Sequence, residues 1–165
     1  WDGVAWSPDI NLFVAVSQNG VAGNRVMTSP DGVTWTLRAS PADNSWSSVV
    51  WASSVRLFVA VAFSGTGNRV MTSPDGINWT LRVSAADNVW TSLTWSPELN
   101  IFVAVASSGT GNRVMTSTIG YTFFQSDSGY YMGGKYTGLT LTTSTPQYTL
   151  HALIMEYIKR ARWGL

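Results

Sequence analysis

The stretch NRVMTSPDG at residues 24–32 decides the fold, because it recurs unchanged at residues 68–76 and in part, as NRVMTS, at residues 112–117. Both spacings are 44 residues. A pair of tryptophans recurs upstream of each occurrence, as Trp1 and Trp6, as Trp46 and Trp51, and as Trp90 and Trp95. The first of these intervals is 45 residues because one residue is inserted between Val16 and Asn24. A fixed period of this length indicates a repeat fold.

Each repeat contains four short apolar stretches separated by turn-forming residues, which is typical of antiparallel strands. In the second repeat we predict strands at residues 46–51, 57–62, 68–72 and 79–83. The SPDG turn has a mechanism, since Pro presets φ, Asp hydrogen-bonds nearby backbone and Gly accepts a positive φ. Four strands in 44 residues is the length of a β-propeller blade. The sequence therefore predicts an all-β, β-propeller-like array of about three four-stranded blades.

The third repeat has lost the SPDG turn but keeps its register. Adding 44 to Gly76 gives Gly120, and adding 44 to Trp79 gives Phe123. The glycine and the aromatic residue are both kept, so we predict a fourth strand at residues 121–125. The predicted blades span residues 1–43, 44–87 and 88–128.

The turn segments TSPDGVTW (residues 28–35) and TSPDGINW (residues 72–79) resemble the Asp-box of the BNR repeats in sialidases and related β-propellers. The usual box is Ser, any residue, Asp, any residue, Gly, any residue, Thr and Trp; here one residue fewer separates Asp from Gly. The resemblance covers roughly residues 1–125 and implies structural roles. Asp31 and Asp75 would secure the turns, and Trp35 and Trp79 would pack into the blades.

Eight of the nine tryptophans lie at repeat positions. A residue that recurs in every unit is most simply explained by packing against the neighbouring unit. We therefore predict that Trp46, Trp51, Trp90 and Trp95 are packing residues. The alternative is an exposed row of tryptophan rings that stack on sugars and form a glycan-binding platform.

Three arginines, Arg25, Arg69 and Arg113, recur once per blade at the start of the third strand. They are the candidate ligand-binding residues, because guanidinium groups recognise the carboxylate, sulfate or phosphate of an anionic ligand. The alternative is structural, with each arginine paired to an Asp of the neighbouring blade and stacked on a Trp. Recurrence in every unit favours the structural interpretation.

Composition excludes several function classes. Only 12% of the residues are charged and the net charge is +1, which argues against a nucleic-acid surface. The chain has no Cys, a single His at position 151 and no D-x-D-x-D-G loop, so we predict no metal site and no cofactor. No motif nominates a catalytic residue. No apolar run approaches the roughly 18 residues of a transmembrane segment, so none is predicted.

The period ends before the C-terminal tail, residues 129–165. We predict a hairpin around Gly133 and Gly134, followed by an amphipathic helix over residues 146–162. The apolar stripe of this helix suits a cap over an exposed blade, as terminal repeats need covering. The alternative is that its basic end, beside Trp163, anchors the chain to a membrane or a partner.

Three units are fewer than the four to eight blades with which propellers close. The chain is then a fragment of a longer array, a subunit that self-associates, or an open stack capped by its tail. We expect self-association that completes a ring or covers the open blade edges.

The leading hypothesis is a non-enzymatic binding or structural module with a glycan or protein partner, located outside the cell or on a viral or cell surface. A sialidase-type glycoside hydrolase, or its degenerate relative, is the alternative. A protein assembly factor is a third hypothesis.

Overall fold

The computed structural model describes residues 1–125, which contain twelve β-strands and no helix. The predicted hairpin and helix of the tail lie outside the described residues. The strands form three four-stranded antiparallel sheets, each of which follows chain order. The prediction of an all-β fold with three four-stranded blades is confirmed.

Blade 1 contains β1 (Gly3–Ser7), β2 (Leu12–Val16), β3 (Val26–Ser29) and β4 (Thr36–Arg38). Blade 2 contains β5 (Trp46–Ala52), β6 (Leu57–Ala62), β7 (Val70–Ser73) and β8 (Thr80–Arg82). Blade 3 contains β9 (Trp90–Ser96), β10 (Ile101–Ala106), β11 (Val114–Ser117) and β12 (Phe124–Gln125). The predicted strands of blade 2 differ from these bounds by at most two residues at either end. The inserted residue of the first repeat lies in the loop between β2 and β3.

The third blade keeps the register of the second, although its fourth strand is only two residues long. Met71 pairs with Leu81 in blade 2, and Met115 pairs with Gln125 in blade 3. Both pairs differ by 44 residues, so the alignment of the decayed turn is correct. The strand predicted at residues 121–125 begins at Phe124 in the structure, because residues 118–123 still form the turn.

The first strand of each blade lies closest to the neighbouring blades, since β5 contacts both β1 and β9. This approach requires small residues. A Cβ added to Gly3 would lie 3.0 Å from the Cα of Ser48, which is its own equivalent in the next blade. The outer strands β4, β8 and β12 are short. β4 and β12 are mostly exposed, and β8 is mostly half-buried.

The core lies between blades. One cluster joins Val14, Val16 and Val26 of blade 1 to blade 2, and a second joins Val59, Val61 and others of blade 2 to blade 3. We call the face of a blade that packs on the following blade its back face, and the face that packs on the preceding blade its front face. Blade 2 is covered on both faces, and all six residues of β6 are buried.

Candidate functional site

Arg69 lies among backbone carbonyls where the β6–β7 loop meets the linker to blade 3. Its Nε donates to the carbonyl oxygen of Gly65 (2.8 Å), and its Nη1 donates to those of Phe63 (2.7 Å) and Asn88 (2.8 Å). The Nε atom also lies 3.6 Å from Oδ1 of Asp87. Only 14% of the side chain is exposed. The guanidinium is therefore directed into the protein and links blade 2 to the first residues of blade 3.

The other two candidate arginines make fewer such bonds. Arg113 is exposed and donates from Nε to the carbonyl oxygen of Gly109 (2.7 Å), which repeats the bond between Arg69 and Gly65. Arg25 donates from Nη1 to the carbonyl oxygen of Gln18 (2.7 Å), in the loop that carries the inserted residue. The structure therefore places the three arginines in equivalent loops but does not bring them together around one site.

The acidic residue near Arg69 is Asp87, which lies in the linker from blade 2 to blade 3. The interpretation in which each arginine pairs with an Asp of the neighbouring blade and stacks on a Trp stays a prediction. Within residues 1–125, the arginine that stacks on a ring is Arg82, whose Cζ lies 4.5 Å from the centroid of Tyr121. Arg82 belongs to an outer strand, so the stacking occurs at the rim and not in the candidate loops.

An Asp-Asn pair in each linker joins consecutive blades, and sequence reasoning missed this role. Asp87 accepts from the backbone N–H of Gly67 in blade 2 (2.7 Å), while Asn88 donates from Nδ2 to the carbonyl oxygen of Asn112 in blade 3 (2.6 Å). Asp43 and Asn44 repeat these bonds one blade earlier, to Gly23 and Asn68. The signal was the recurrence of Asp-Asn at the 44-residue spacing, just before a blade begins.

The turn carboxylates Asp31 and Asp75 accept hydrogen bonds from their own turns. Oδ1 of Asp75 accepts from the backbone N–H groups of Ile77 (2.8 Å) and Asn78 (2.8 Å) and from Oγ of Ser73 (2.9 Å). Burial raises the pKa of Asp75, but these bonds and one from the Asn78 side chain outweigh it and lower the pKa to about 2. The negative charge of Asp75 is therefore stabilised by hydrogen bonds within its own turn.

Asp31 has the same environment in blade 1. Its Oδ1 accepts from the backbone N–H groups of Thr34 (2.7 Å) and Val33 (2.8 Å). These bonds, with one from Ser29, lower the pKa of Asp31 to about 2. In blade 3, Ile119 occupies the position of the Asp, so this turn has no carboxylate. Oγ of Ser117 still accepts from the backbone N–H of Gly120 (2.9 Å).

The repeat tryptophans pack between blades to different extents. Trp46 and Trp90 are fully buried, whereas Trp35, Trp51, Trp79 and Trp95 are half-buried. Trp51 lies with its ring centroid 4.5 Å from that of Phe58, and its Nε1 donates to Oδ2 of Asp9 in blade 1 (2.7 Å). Trp1 and Trp6, the equivalents in blade 1, are exposed. The tryptophans at the first strand are therefore more buried in blades 2 and 3, which have a preceding blade among the described residues, than in blade 1, which has none.

The front face of blade 1 is uncovered within residues 1–125. Val4 is 62% exposed, whereas its equivalents Val49 and Leu93 are 4% and 6% exposed. Leu37 of the outer strand is exposed, whereas its equivalent Leu81 packs against the cluster between blades 1 and 2. This face therefore carries the apolar side chains of a blade interface with no blade against them.

The back face of blade 3 is the second uncovered surface of the described residues. Val105 is 43% exposed, whereas its equivalent Val61 is fully buried. Residues alternate along β10, so that Phe102 and Ala104 are buried towards blade 2 while Ile101 and Val103 on the other face are half-buried. Leu99, at the tip of the β9–β10 hairpin, is 75% exposed.

The described residues contain no group of three or more His, Cys, Asp or Glu side chains placed to hold a metal ion. No helix that could span a membrane is found among residues 1–125.

Comparisons with known proteins extend the fold assignment. No protein-family model and no curated protein matches this chain. A chain of a nidogen/laminin complex is similar over 75% of this chain and 46% of its own length, with a TM-score of 0.57 and 12% identity. A GH74 enzyme of Niastella koreensis is similar over 81% of this chain and 19% of its own length, with a TM-score of 0.48 and 20% identity.

This chain thus spans less than half the length of either of these two proteins. The nidogen/laminin likeness supports a β-propeller-like fold and, at its low identity, says nothing about a ligand. The GH74 likeness has too low a TM-score to carry an argument. Because no family model matches, membership of the Asp-box family stays a prediction.

Proposed function

We propose that this chain is a non-enzymatic β-propeller-like module with a binding or structural role. The observation that carries the proposal is the way in which the recurring polar side chains are used. Arg69, Asp75 and Asn88 each direct their polar atoms to backbone groups of the chain itself. Polar groups that recur in every unit and bond within the array stabilise the repeats.

A sialidase-type glycoside hydrolase, or a degenerate relative, is the enzymatic alternative that the Asp-box resemblance suggests. The resemblance implies that an arginine cluster would hold the acidic substrate. Arg69 already donates to three carbonyl oxygens, and Arg25 and Arg113 lie in separate loops. A substrate carboxylate would have to break these bonds before it could bind, and that geometry favours the non-enzymatic role.

The partner that best suits the uncovered surfaces is a protein. The front face of blade 1 and the back face of blade 3 present Val4, Leu37 and Val105. Their equivalents in other blades are buried between blades or packed against an interblade cluster. Apolar sheet faces gain stability when another packed surface removes them from water. A glycan platform would need a row of open tryptophan rings, whereas Trp46 and Trp90 are buried. Docking of a protein, as in an assembly factor or a subunit, is therefore favoured over glycan binding.

A panel of fluorogenic sialosides and neutral glycosides tests the proposal. We expect no turnover by the wild-type chain. We also expect Arg69→Ala to lower the thermal midpoint more than the matched variant Arg38→Ala, because Arg69 holds three carbonyls and lies near Asp87, whereas the Nε of Arg38 donates to Thr28 alone. Turnover that Arg69→Ala abolishes while the far-ultraviolet spectrum stays unchanged would overturn the non-enzymatic role.

A further inference from the structure

The two faces that are uncovered within residues 1–125 correspond to the two halves of an interface that already occurs twice among those residues. Blade 2 presents Leu57, Val59 and Val61 to blade 3, and these side chains are buried there. Blade 3 carries Ile101, Val103 and Val105 at the same register positions. The back face of blade 3 therefore repeats the surface on which a front face packs.

The turn glycines show how closely such a front face fits. Gly76 and Gly32 have the same positive φ, 73° and 74°. A Cβ on Gly76 would lie 2.8 Å from Val14 and 2.9 Å from Leu12 of the preceding blade, so the turn of blade 2 packs directly on the back face of blade 1. A Cβ on Gly32 would meet only its own Phe13, at 3.5 Å. The front face of blade 1 thus keeps the glycine that this fit requires, and no other blade within residues 1–125 lies against it.

The polar groups of the interface recur at the open end of blade 3 as well. The hydroxyl of Ser47 in blade 2 contacts the carbonyl oxygens of Val61 (3.1 Å) and Trp90 (2.7 Å), the second of which belongs to blade 3. Its equivalent Thr91 donates to the carbonyl oxygen of Val105 (3.2 Å), which matches the first of these contacts. Thr91 therefore holds the same position towards a following blade.

A tryptophan and a carboxylate pair across the junction between blades 1 and 2. Blade 1 and blade 3 each carry one equivalent member of this pair. Between blades 1 and 2, Nε1 of Trp51 donates to the carboxylate of Asp9, in the sequence SPDIN. The equivalent of Asp9 in blade 3 is Glu98, in the sequence SPELN, and the equivalent of Trp51 in blade 1 is Trp6. Blade 3 thus carries the acceptor and blade 1 carries the donor.

We propose that the partner of both faces is a second copy of this chain, with the back face of blade 3 in one copy packed on the front face of blade 1 in the other. Glu98 of one copy then accepts from Trp6 of the other. Two such junctions join six blades, which lies within the four to eight that close a propeller, and the head-to-tail contact closes as a ring. This inference rests on the proposed function, because it names the partner of that binding or structural module.

Sedimentation equilibrium of the purified chain measures the outcome. We expect a species of twice the 17.9-kDa chain mass. Val4→Glu and Val105→Glu should each give the single-chain mass, because each places an unpaired charge in the junction. Both positions are exposed in the single chain, so both variants should fold. Val83→Glu, at an exposed position after β8 of blade 2, is the matched control and should keep the double mass.

A mixture of the two monomeric variants tests the head-to-tail arrangement. The Val4→Glu chain keeps an intact back face and the Val105→Glu chain keeps an intact front face, so the mixture should form a heterodimer through one junction. A wild-type chain of single mass, or dimers of Val105→Glu alone, would overturn the inference. Those results would not affect the non-enzymatic role, which the glycoside panel tests separately.

Discussion

Blade 2 and the two outer blades have nearly the same sequence but different surroundings. The strand LFVAVA of blade 2 is buried on both faces, whereas IFVAVA of blade 3 is buried on one. The same contrast holds between Val49 of blade 2, which is buried, and Val4 of blade 1, which is exposed. Burial in this molecule therefore depends on the position of a blade in the array as much as on its residues.

The comparison shows that each blade is only part of a stable unit. The apolar clusters lie between blades, so a blade gains most of its burial from its neighbours. The outer blades keep interface residues that no described neighbour covers. A head-to-tail contact between copies would give all blades the surroundings of blade 2.

The largest effect expected from the comparison is at the central phenylalanine. Phe58 of blade 2 is fully buried and Phe13 of blade 1 is half-buried. In the monomeric Val105→Glu background, Phe58→Ala should lower the free energy of unfolding by about 3–5 kcal/mol. Phe13→Ala should cost about 2 kcal/mol, since less apolar area is removed from burial. Urea denaturation, monitored by tryptophan fluorescence, measures both changes. Equal losses of unfolding free energy would contradict the claim that blade 2 is more deeply packed than blade 1.

The turn glycines give the next largest difference. Gly32→Ala and Gly76→Ala both place a Cβ at a positive φ, which costs about 1–2 kcal/mol. Gly76→Ala should cost about 1–3 kcal/mol more, because its Cβ would overlap Val14 and Leu12 of blade 1. The same denaturation in the Val105→Glu background measures the pair. If Gly32→Ala lowers the free energy of unfolding as much as Gly76→Ala in that background, the front face of blade 1 is already covered within a single chain.

The turn carboxylates should show the smallest difference, because Asp31 and Asp75 bond to their own turns. The pKa of each is lowered to about 2 from an ordinary value of 3.8. A lowered pKa in the folded state stabilises the protein above about pH 4, and this contribution is lost as the pH falls towards 2. Asp75→Asn should cost about 1 kcal/mol at pH 7. Asp31→Asn should lower the stability in the same direction, because it removes the same bonds to the turn.

The acid dependence itself provides the control for these two variants. Thermal midpoints measured from pH 5 to pH 2 should fall less steeply for the Asp31→Asn/Asp75→Asn double variant than for the wild type. An unchanged acid slope would show that the turn carboxylates do not stabilise the fold. A much larger cost for Asp75→Asn than for Asp31→Asn would show that the neighbouring blade contributes to the turn.

The sequence predicted the strands and the register well because both depend on the repeat. NRVMTSPDG aligned the three sheets, and the equivalence of Phe123 with Trp79 is confirmed by the pairing of β11 with β12. Two features could not be derived from a period. One is the exposure of Trp1 and Trp6. A repeat shows which positions are equivalent, but it does not show which of those positions has a neighbouring blade packed against it.

The other feature is the chemistry of the candidate arginines and the linkers. Recurrence nominated Arg25, Arg69 and Arg113 but could not show that the Arg69 N–H groups are directed to backbone carbonyls. Those carbonyls belong to irregular loop and linker segments, whose path no periodic pattern specifies. The Asp-Asn linkers were visible as a repeated dipeptide. Their bonding partners in two blades, Gly67 and Asn112, could be identified only from the structure.

Cysteine cross-linking tests the register of the proposed junction most directly, because the chain contains no Cys. Asp9→Cys and Trp51→Cys in one chain calibrate the internal junction. In the wild type, Nε1 of Trp51 lies 2.7 Å from Oδ2 of Asp9 there. Trp6→Cys in one copy and Glu98→Cys in another probe the junction between copies with a short thiol-specific reagent. We predict a covalent dimer in about half the yield of the internal control, because random pairing of the two variants makes only about half of the dimers mixed. A yield no higher than that from Trp6→Cys with Val83→Cys would contradict the head-to-tail account.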